Sequence, residues 1–189
     1  MQKENLTKTP SNLKACPALF PYKKGFTLIE LMVTVAIMAI LAAIAIPAFN
    51  VMNASANCKG AARTLNTDLA FVKMRAISQG KPTKVVFINS TSYKFQIEDG
   101  TWQDLAGEPV RDLSIASSPY FFKDVTFNLA YYDNDNNPFA PPNGNEVVFR
   151  TSGSCETCNS GKISITVHNT ENTRKVSVYS SGKIEEIKL

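Results

Sequence analysis

The chain has 189 residues, 44% hydrophobic and 19% charged, which excludes a disordered or low-complexity protein and leaves room for one domain with an accessory segment. Its formal charge of +4 invites a nucleic-acid reading, but the distribution of that charge argues against one. Residues 1–25 hold Lys3, Lys8, Lys14, Lys23 and Lys24 against Glu4, and the rest balances 15 basic with 15 acidic residues, so no global basic field remains beyond the N-terminus.

The first element in chain order is the apolar run Phe26–Phe49, 24 residues long, in which Glu30 is the one charged residue. As a helix it reaches roughly 36 Å, enough to cross a hydrocarbon core of about 30 Å. It is too long for a secretory h-region of about 7–15 residues. Lys23 and Lys24 precede it, so the excess of positive charge places the N-terminus in the cytoplasm and the C-terminal part outside. A simple anchor accounts for the length and the lysines. It does not account for Glu30, because a carboxylate deep in a membrane helix costs about 2.5–3.5 kcal/mol on insertion scales.

The stretch Lys-Lys-Gly-Phe-Thr-Leu-Ile-Glu-Leu, residues 23–31, closely resembles the processing site of type IV pilins and of the pseudopilins of type II secretion. The resemblance implies that a prepilin peptidase cuts after Gly25, that Phe26 becomes an N-methylated terminus, and that residues 1–25 are a leader, long for the family. It implies also that Glu30 meets the terminal amine of a neighbouring subunit, each charge removing much of the other's cost in lipid. Pro47 falls where many pilins have a helix-kinking proline. The implied partners are the prepilin peptidase, other major and minor pilins or pseudopilins, and an inner-membrane assembly platform. The implied location is the bacterial inner membrane, crossed once, with the C-terminal domain periplasmic and incorporated in a pilus or pseudopilus.

Beyond Pro47 the helical pattern turns amphipathic. Cys58, Ala62, Leu65, Leu69, Val72 and Ala76 follow 3–4 spacing on one face, with Lys59, Arg63, Asp68, Lys73 and Arg75 mostly elsewhere. Gly80 and Pro82 stop the helix, which is expected over about Thr27 to Gln79. The pattern then changes to period two. Strands are expected at 83–89, 93–98, 101–105, 124–132, 145–151, 162–169, 174–180 and 183–189, joined by turns rich in Gly, Asn and Ser. No connection looks helical, so the sheets should be antiparallel and the fold α+β. The expected organisation is a leader (1–25), a transmembrane and assembly helix (26–49), an amphipathic half-helix (50–80) and a β-rich globular domain (81–189). Residues 61–88, with Ala76 and Gly80 near the helix end, and the closing segment 174–187 resemble the H-type minor pseudopilins and the FimT- and FimU-type minor pilins.

Candidate chemistry is sparse. Cys155 and Cys158 form a CxxC in a Ser/Gly/Asn-rich loop between strands rather than at a helix start, which disfavours thioredoxin-like chemistry. With His168 the chain's single histidine, they fall short of a closed zinc site. On the outer side of an inner membrane a small structural disulfide is the better reading. Cys58 reads as buried in the helix face. Asp133, Asp135 and Asn137 resemble the first half of a calcium loop, but Pro138 stands where the sharp-turn glycine belongs and no glutamate closes the loop, so a solvated turn is expected and no cofactor is assigned. Trp102, Tyr93, Phe95, Phe121 and Phe122 read as core and rim. No catalytic constellation is evident. The expected function is therefore a non-enzymatic minor subunit of a type II secretion pseudopilus or type IV pilus. Two other readings compete. The resemblance to FimT-like pilins, some of which bind DNA through a basic Gly-Arg-x-Arg stretch, raises a DNA receptor, but Gly182-Lys183-Ile184-Glu185 puts acid at the second basic position, which disfavours DNA as a partner. A membrane-tethered thiol oxidoreductase rests on Cys155 and Cys158 alone.

Overall fold

The computed structural model describes residues 25–140, 144–159 and 161–189. The expected leader up to residue 24, with Lys23 and Lys24, lies outside the described residues. Contacts divide the chain into two units, Met1–Ala42 and Ala43–Leu189.

Helix α1 spans Leu28–Gln79, is long and apolar enough to cross a membrane, and contains Pro47. Its start follows from local chemistry. The Thr27 hydroxyl accepts the Glu30 backbone N–H at 3.3 Å, which makes Thr27 the N-cap and leaves Phe26 outside the helix. Its end follows from Gly80, whose φ of +62° is the left-handed conformation that closes helices, with Pro82 unable to continue the turn. Side chains over 25–53 are exposed. Further on, the apolar face is buried at Cys58, Ala61, Ala62, Leu65, Leu69, Val72 and Ala76.

That face packs on two antiparallel sheets. The first contains β1 (Thr83–Phe87), β2 (Ser92–Asp99), β3 (Thr101–Asp104), β4 (Arg111–Asp112) and β7 (Glu146–Phe149), in the order β3-β2-β1-β7 with β4 also on β2. The second contains β5 (Thr126–Tyr132), β6 (Pro138–Phe139), β8 (Lys162–His168), β9 (Thr173–Tyr179) and β10 (Ile184–Lys188), in the order β10-β9-β8-β5-β6. The α+β architecture, with a long apolar N-terminal helix on antiparallel sheets, is as the residues led one to expect. Eight strands fall where the period-two pattern put them; β4 and β6, two residues each, are additions.

Alternation sends Val85, Phe95 and Val147 inward from the first sheet and Ile163, Ile165, Val167, Val176 and Val178 inward from the second. Each fully buried Leu or Ile contributes about 1.5–3 kcal/mol. Phe127 of the second sheet meets Phe87 and Tyr93 of the first at ring separations of 5.7 and 5.6 Å. Tyr131 ties the sheets again: its hydroxyl accepts the Glu146 N–H at 3.1 Å and lies 3.0 Å from the Glu146 carbonyl. Burial raises the Tyr131 pKa to about 12, so this hydroxyl stays a donor at any physiological pH.

Candidate processing and assembly site

The residues singled out at the N-terminus stand together in the open. Gly25 has nothing within 4 Å of where a side chain would be, and Phe26 is 83% exposed. Glu30 is exposed in the first turn of α1. The pair Thr27 and Glu30 has the S/T-x-x-E spacing of a capping box, a signal present in the sequence. Glu30 thus has a local contribution as well as the expected intersubunit one: its negative charge lies against the positive end of the helix dipole. Pro47 removes the N–H that would bond to the carbonyl four residues earlier, a device that bends helices.

Within the second unit Cys155 and Cys158 are joined in a disulfide, with Cα atoms 5.5 Å apart, and both are buried. The surrounding loop covers the outer edge of β7. Glu156 N–H donates to the Val148 carbonyl at 2.8 Å, and Val148 N–H donates to the Thr157 hydroxyl at 3.1 Å. The same loop reaches the second sheet through Cys155 N–H, which donates to the Ser180 carbonyl at 3.0 Å. Gly153 packs on Ile77 and Lys73 of α1, and the Lys73 ammonium donates to the Gly182 carbonyl at 2.9 Å. The loop is a clasp over an otherwise open sheet edge, at the meeting point of helix and both sheets. Cys58 is a free buried thiol, its pKa raised by burial.

Asp68 corrects the expected helix pattern. Placed with the outward charges in the sequence reading, it is buried on the packed face, because partners from elsewhere in the chain satisfy it. The Tyr93 hydroxyl donates to its carboxylate at 2.8 Å, and Arg111 Nε does so at 3.2 Å. Arg111 also bonds Glu108 at 2.8 Å and lies over the rings of Tyr120 and Phe95, at 4.2 and 4.8 Å from their centroids. Burial raises the Asp68 pKa despite these donors, and burial with the facing carboxylate pushes Tyr93 well above its usual value. For Arg111, burial opposes the charge, but Glu108 and Asp68 outweigh it and the pKa rises. The cluster fastens β4 and the 105–122 connection to the helix.

Of the calcium-loop candidates, the structure brings Asp133 and Asn137 together: the Asp133 carboxylate accepts the Asn137 backbone N–H at 2.7 Å and its amide at 3.3 Å, closing a turn in which Asn136 has φ +64°. Asp135 is exposed. Among the described residues no three His, Cys, Asp or Glu side chains cluster as a metal site. In the Gly182–Glu185 segment, Lys183 lies 3.3 Å from Glu185, whose carboxylate also accepts the Tyr179 hydroxyl. Tyr93 and Phe95 are core; Trp102 and Phe121 lie at the surface.

Comparison with known proteins yields two family matches. Residues 21–46 match the prokaryotic N-terminal methylation motif, and residues 61–182 match the type II transport protein GspH. No curated protein matches significantly. Among solved structures, the minor pseudopilin EpsH of the Vibrio cholerae type 2 secretion system superimposes with a TM-score of 0.50 at 12% identity, over 70% of this chain and 97% of that one. The Escherichia coli GspH solution structure gives 0.49 at 15% identity, over 73% and 91%, and the Pseudomonas aeruginosa type IV minor pilin FimU gives 0.47 at 13%, over 68% and 91%. At such identities the EpsH likeness speaks to the fold alone.

Proposed function

The chain belongs to the GspH family of type II transport proteins, a minor pseudopilin or pilin with an N-terminal methylation motif, and from that premise we propose how it is processed and what it joins. A prepilin peptidase cuts after Gly25 and Phe26 is N-methylated. The mature chain sits in the bacterial inner membrane through the apolar half of α1, with residues beyond it in the periplasm. It is drawn from there, through an inner-membrane assembly platform, into a filament of other pilins or pseudopilins, where Glu30 meets a neighbour's terminal amine and Pro47 lets the helix bend to fit. The chain's work is structural, not enzymatic.

One observation carries this reading: an unobstructed Gly25–Phe26 junction immediately precedes a capped apolar helix whose first turn bears Glu30. A peptidase needs an accessible bond, and the open Gly25 and exposed Phe26 support that. Mass spectrometry of the membrane-extracted protein tests it. The expected mature chain starts at N-methylated Phe26, and Gly25→Leu should leave the leader attached. An uncut leader on the native chain in cells with active prepilin peptidase would overturn the proposal.

The secretion pseudopilus and the pilus are both filaments, and the domain's chemistry does not favour the DNA-receptor alternative: the lysine in the matching C-terminal segment is held by Glu185, and the chain beyond the leader has no net charge. The buried disulfide, engaged as a clasp, likewise gives the oxidoreductase reading no exposed thiolate.

A further inference from the structure

The outer face of the second sheet carries a feature that membrane anchorage and core packing leave unused. Register places Tyr132, Lys162 and Tyr179 side by side across β5, β8 and β9, on the face opposite the buried Ile163 and Val178. Lys162 lies over the Tyr132 ring at 5.6 Å from its centroid. Lys175, on the same face of β9, reaches across β8 to the same ring at 5.8 Å. Two ammonium groups therefore share one aromatic ring. Among the described residues neither has a carboxylate partner, whereas Lys84 and Lys94 on the first sheet each hold one at 2.8 Å. Beside Lys162 an open cavity of about 530 Å³ is walled by Asp133, Asn134, Asn136, Tyr179, Ser181 and Lys183, with the Asp133 carboxylate turned to the Asn137 N–H and amide.

The chemistry of this face is that of a carboxylate receptor. Two unpaired cations held near one ring repel each other, and an anionic group bound beside them relieves that repulsion. In the adjoining cavity the Tyr179 hydroxyl is engaged by Glu185 and Asp133 adds a carboxylate, so the anion site is confined to the lysine pair. The face does not suit a nucleic acid. Such a strand needs a track of cations along its backbone, whereas here Glu185, on the same face, accepts from Tyr179 and Lys183 and ends the basic surface at the Lys162–Lys175 patch, which is room for a short acidic segment and not for a strand.

We propose that the Tyr132–Lys162–Lys175 face docks an acidic segment, rich in Asp or Glu, of another filament subunit. The identity of the partner as a filament subunit rests on the function proposed above; the carboxylate specificity does not. The contact is a rim-type electrostatic one, fixing orientation and encounter rate more than supplying bulk affinity.

The test uses the full mature chain in detergent micelles at low salt, with a fluorescein-labelled hexaglutamate peptide as probe and anisotropy as readout. Lys162→Gln and Lys175→Gln should each weaken binding about threefold and together about tenfold, in keeping with exposed ion pairs. Lys94→Gln on the other sheet should leave it unchanged, and circular dichroism should be the same for all. Hexaglutamate binding that is indifferent to the double substitution overturns the proposal. So does tighter binding of an oligothymidylate of equal charge, which would make the face a nucleic-acid platform. So too does self-association of the chain abolished by the same double substitution, which would make the occupant a second copy. In cells, the double variant should be cleaved and inserted normally yet lose captured pilins. If the native chain itself captures none, the filament reading fails while the hexaglutamate arm still decides the chemistry of the face.

Discussion

Replacing Asp68 probes a buried charge cluster that connects helix and first sheet. In Asp68→Ala, Arg111 keeps Glu108 but loses its buried partner while its own side chain is only 7% exposed, and the buried Tyr93 hydroxyl loses its acceptor. Breaking a buried pair by removing one member costs about 3–5 kcal/mol, and the surviving Glu108 contact puts this case near 3. Asp68→Asn keeps an acceptor for Tyr93 but turns one acceptor oxygen into a donor and takes the anion from Arg111; since burial itself disfavours the carboxylate's charge, the loss should be smaller, about 1 kcal/mol or less. The assay is urea unfolding of the mature chain in detergent, followed by far-UV circular dichroism across pH. The sign of the pH dependence is fixed by the raised Asp68 pKa: the folded state holds this proton to higher pH than the unfolded state does. Stability therefore falls as pH rises from about 4 through the raised value, and Asp68→Asn should lack that component. A native chain that gains stability over this window relative to the Asn variant, or an Ala variant as stable as the native chain, would refute the reasoning.

Gly182 has φ +78° and a Cβ there would sit 1.9 Å from the Gly153 carbonyl oxygen, so Gly182→Ala should cost more than the roughly 1–2 kcal/mol of left-handed strain alone. Gly107→Ala, at φ +84° with nothing nearby, should cost that strain and no more, and equal losses in urea unfolding would contradict the clasp geometry. Cys155→Ser with Cys158→Ser should lower stability by about 2 kcal/mol or less, because the ring closed is small, and should speed proteolysis near β7; native protein with both thiols free by non-reducing peptide mapping would contradict it. Glu30→Leu should be inserted and cleaved normally, yet be depleted from filaments; normal incorporation at normal membrane abundance would leave Glu30 with its helix-terminal role alone.

Much of this architecture was legible because it depends on spacing. Leu65, Leu69, Val72 and Ala76 announce a packed helix face, and the alternation in β8 and β9 announces a one-sided sheet. What escaped depends on contacts distant in sequence. Asp68 lies three residues from Leu65 and so on the packed face, but its burial becomes tolerable only when Tyr93 and Arg111, 25 and 43 residues away, arrive. Strands of two residues, such as β4 and β6, leave no periodicity to read. The shared ring of Lys162 and Lys175 needs the β5-β8-β9 register, which no local pattern encodes.

The central claim, that this chain is a subunit of an extracytoplasmic filament, is tested most directly by fractionation. Filaments sheared from cells expressing the native chain, and from cells lacking prepilin peptidase, are separated from membranes and probed for the chain. The account predicts it in the sheared fraction at low stoichiometry with Phe26 as its first residue, and confined to the membrane with its leader attached when the peptidase is absent. A chain that stays in the membrane fraction in both backgrounds, while filaments assemble normally without it, would contradict the account.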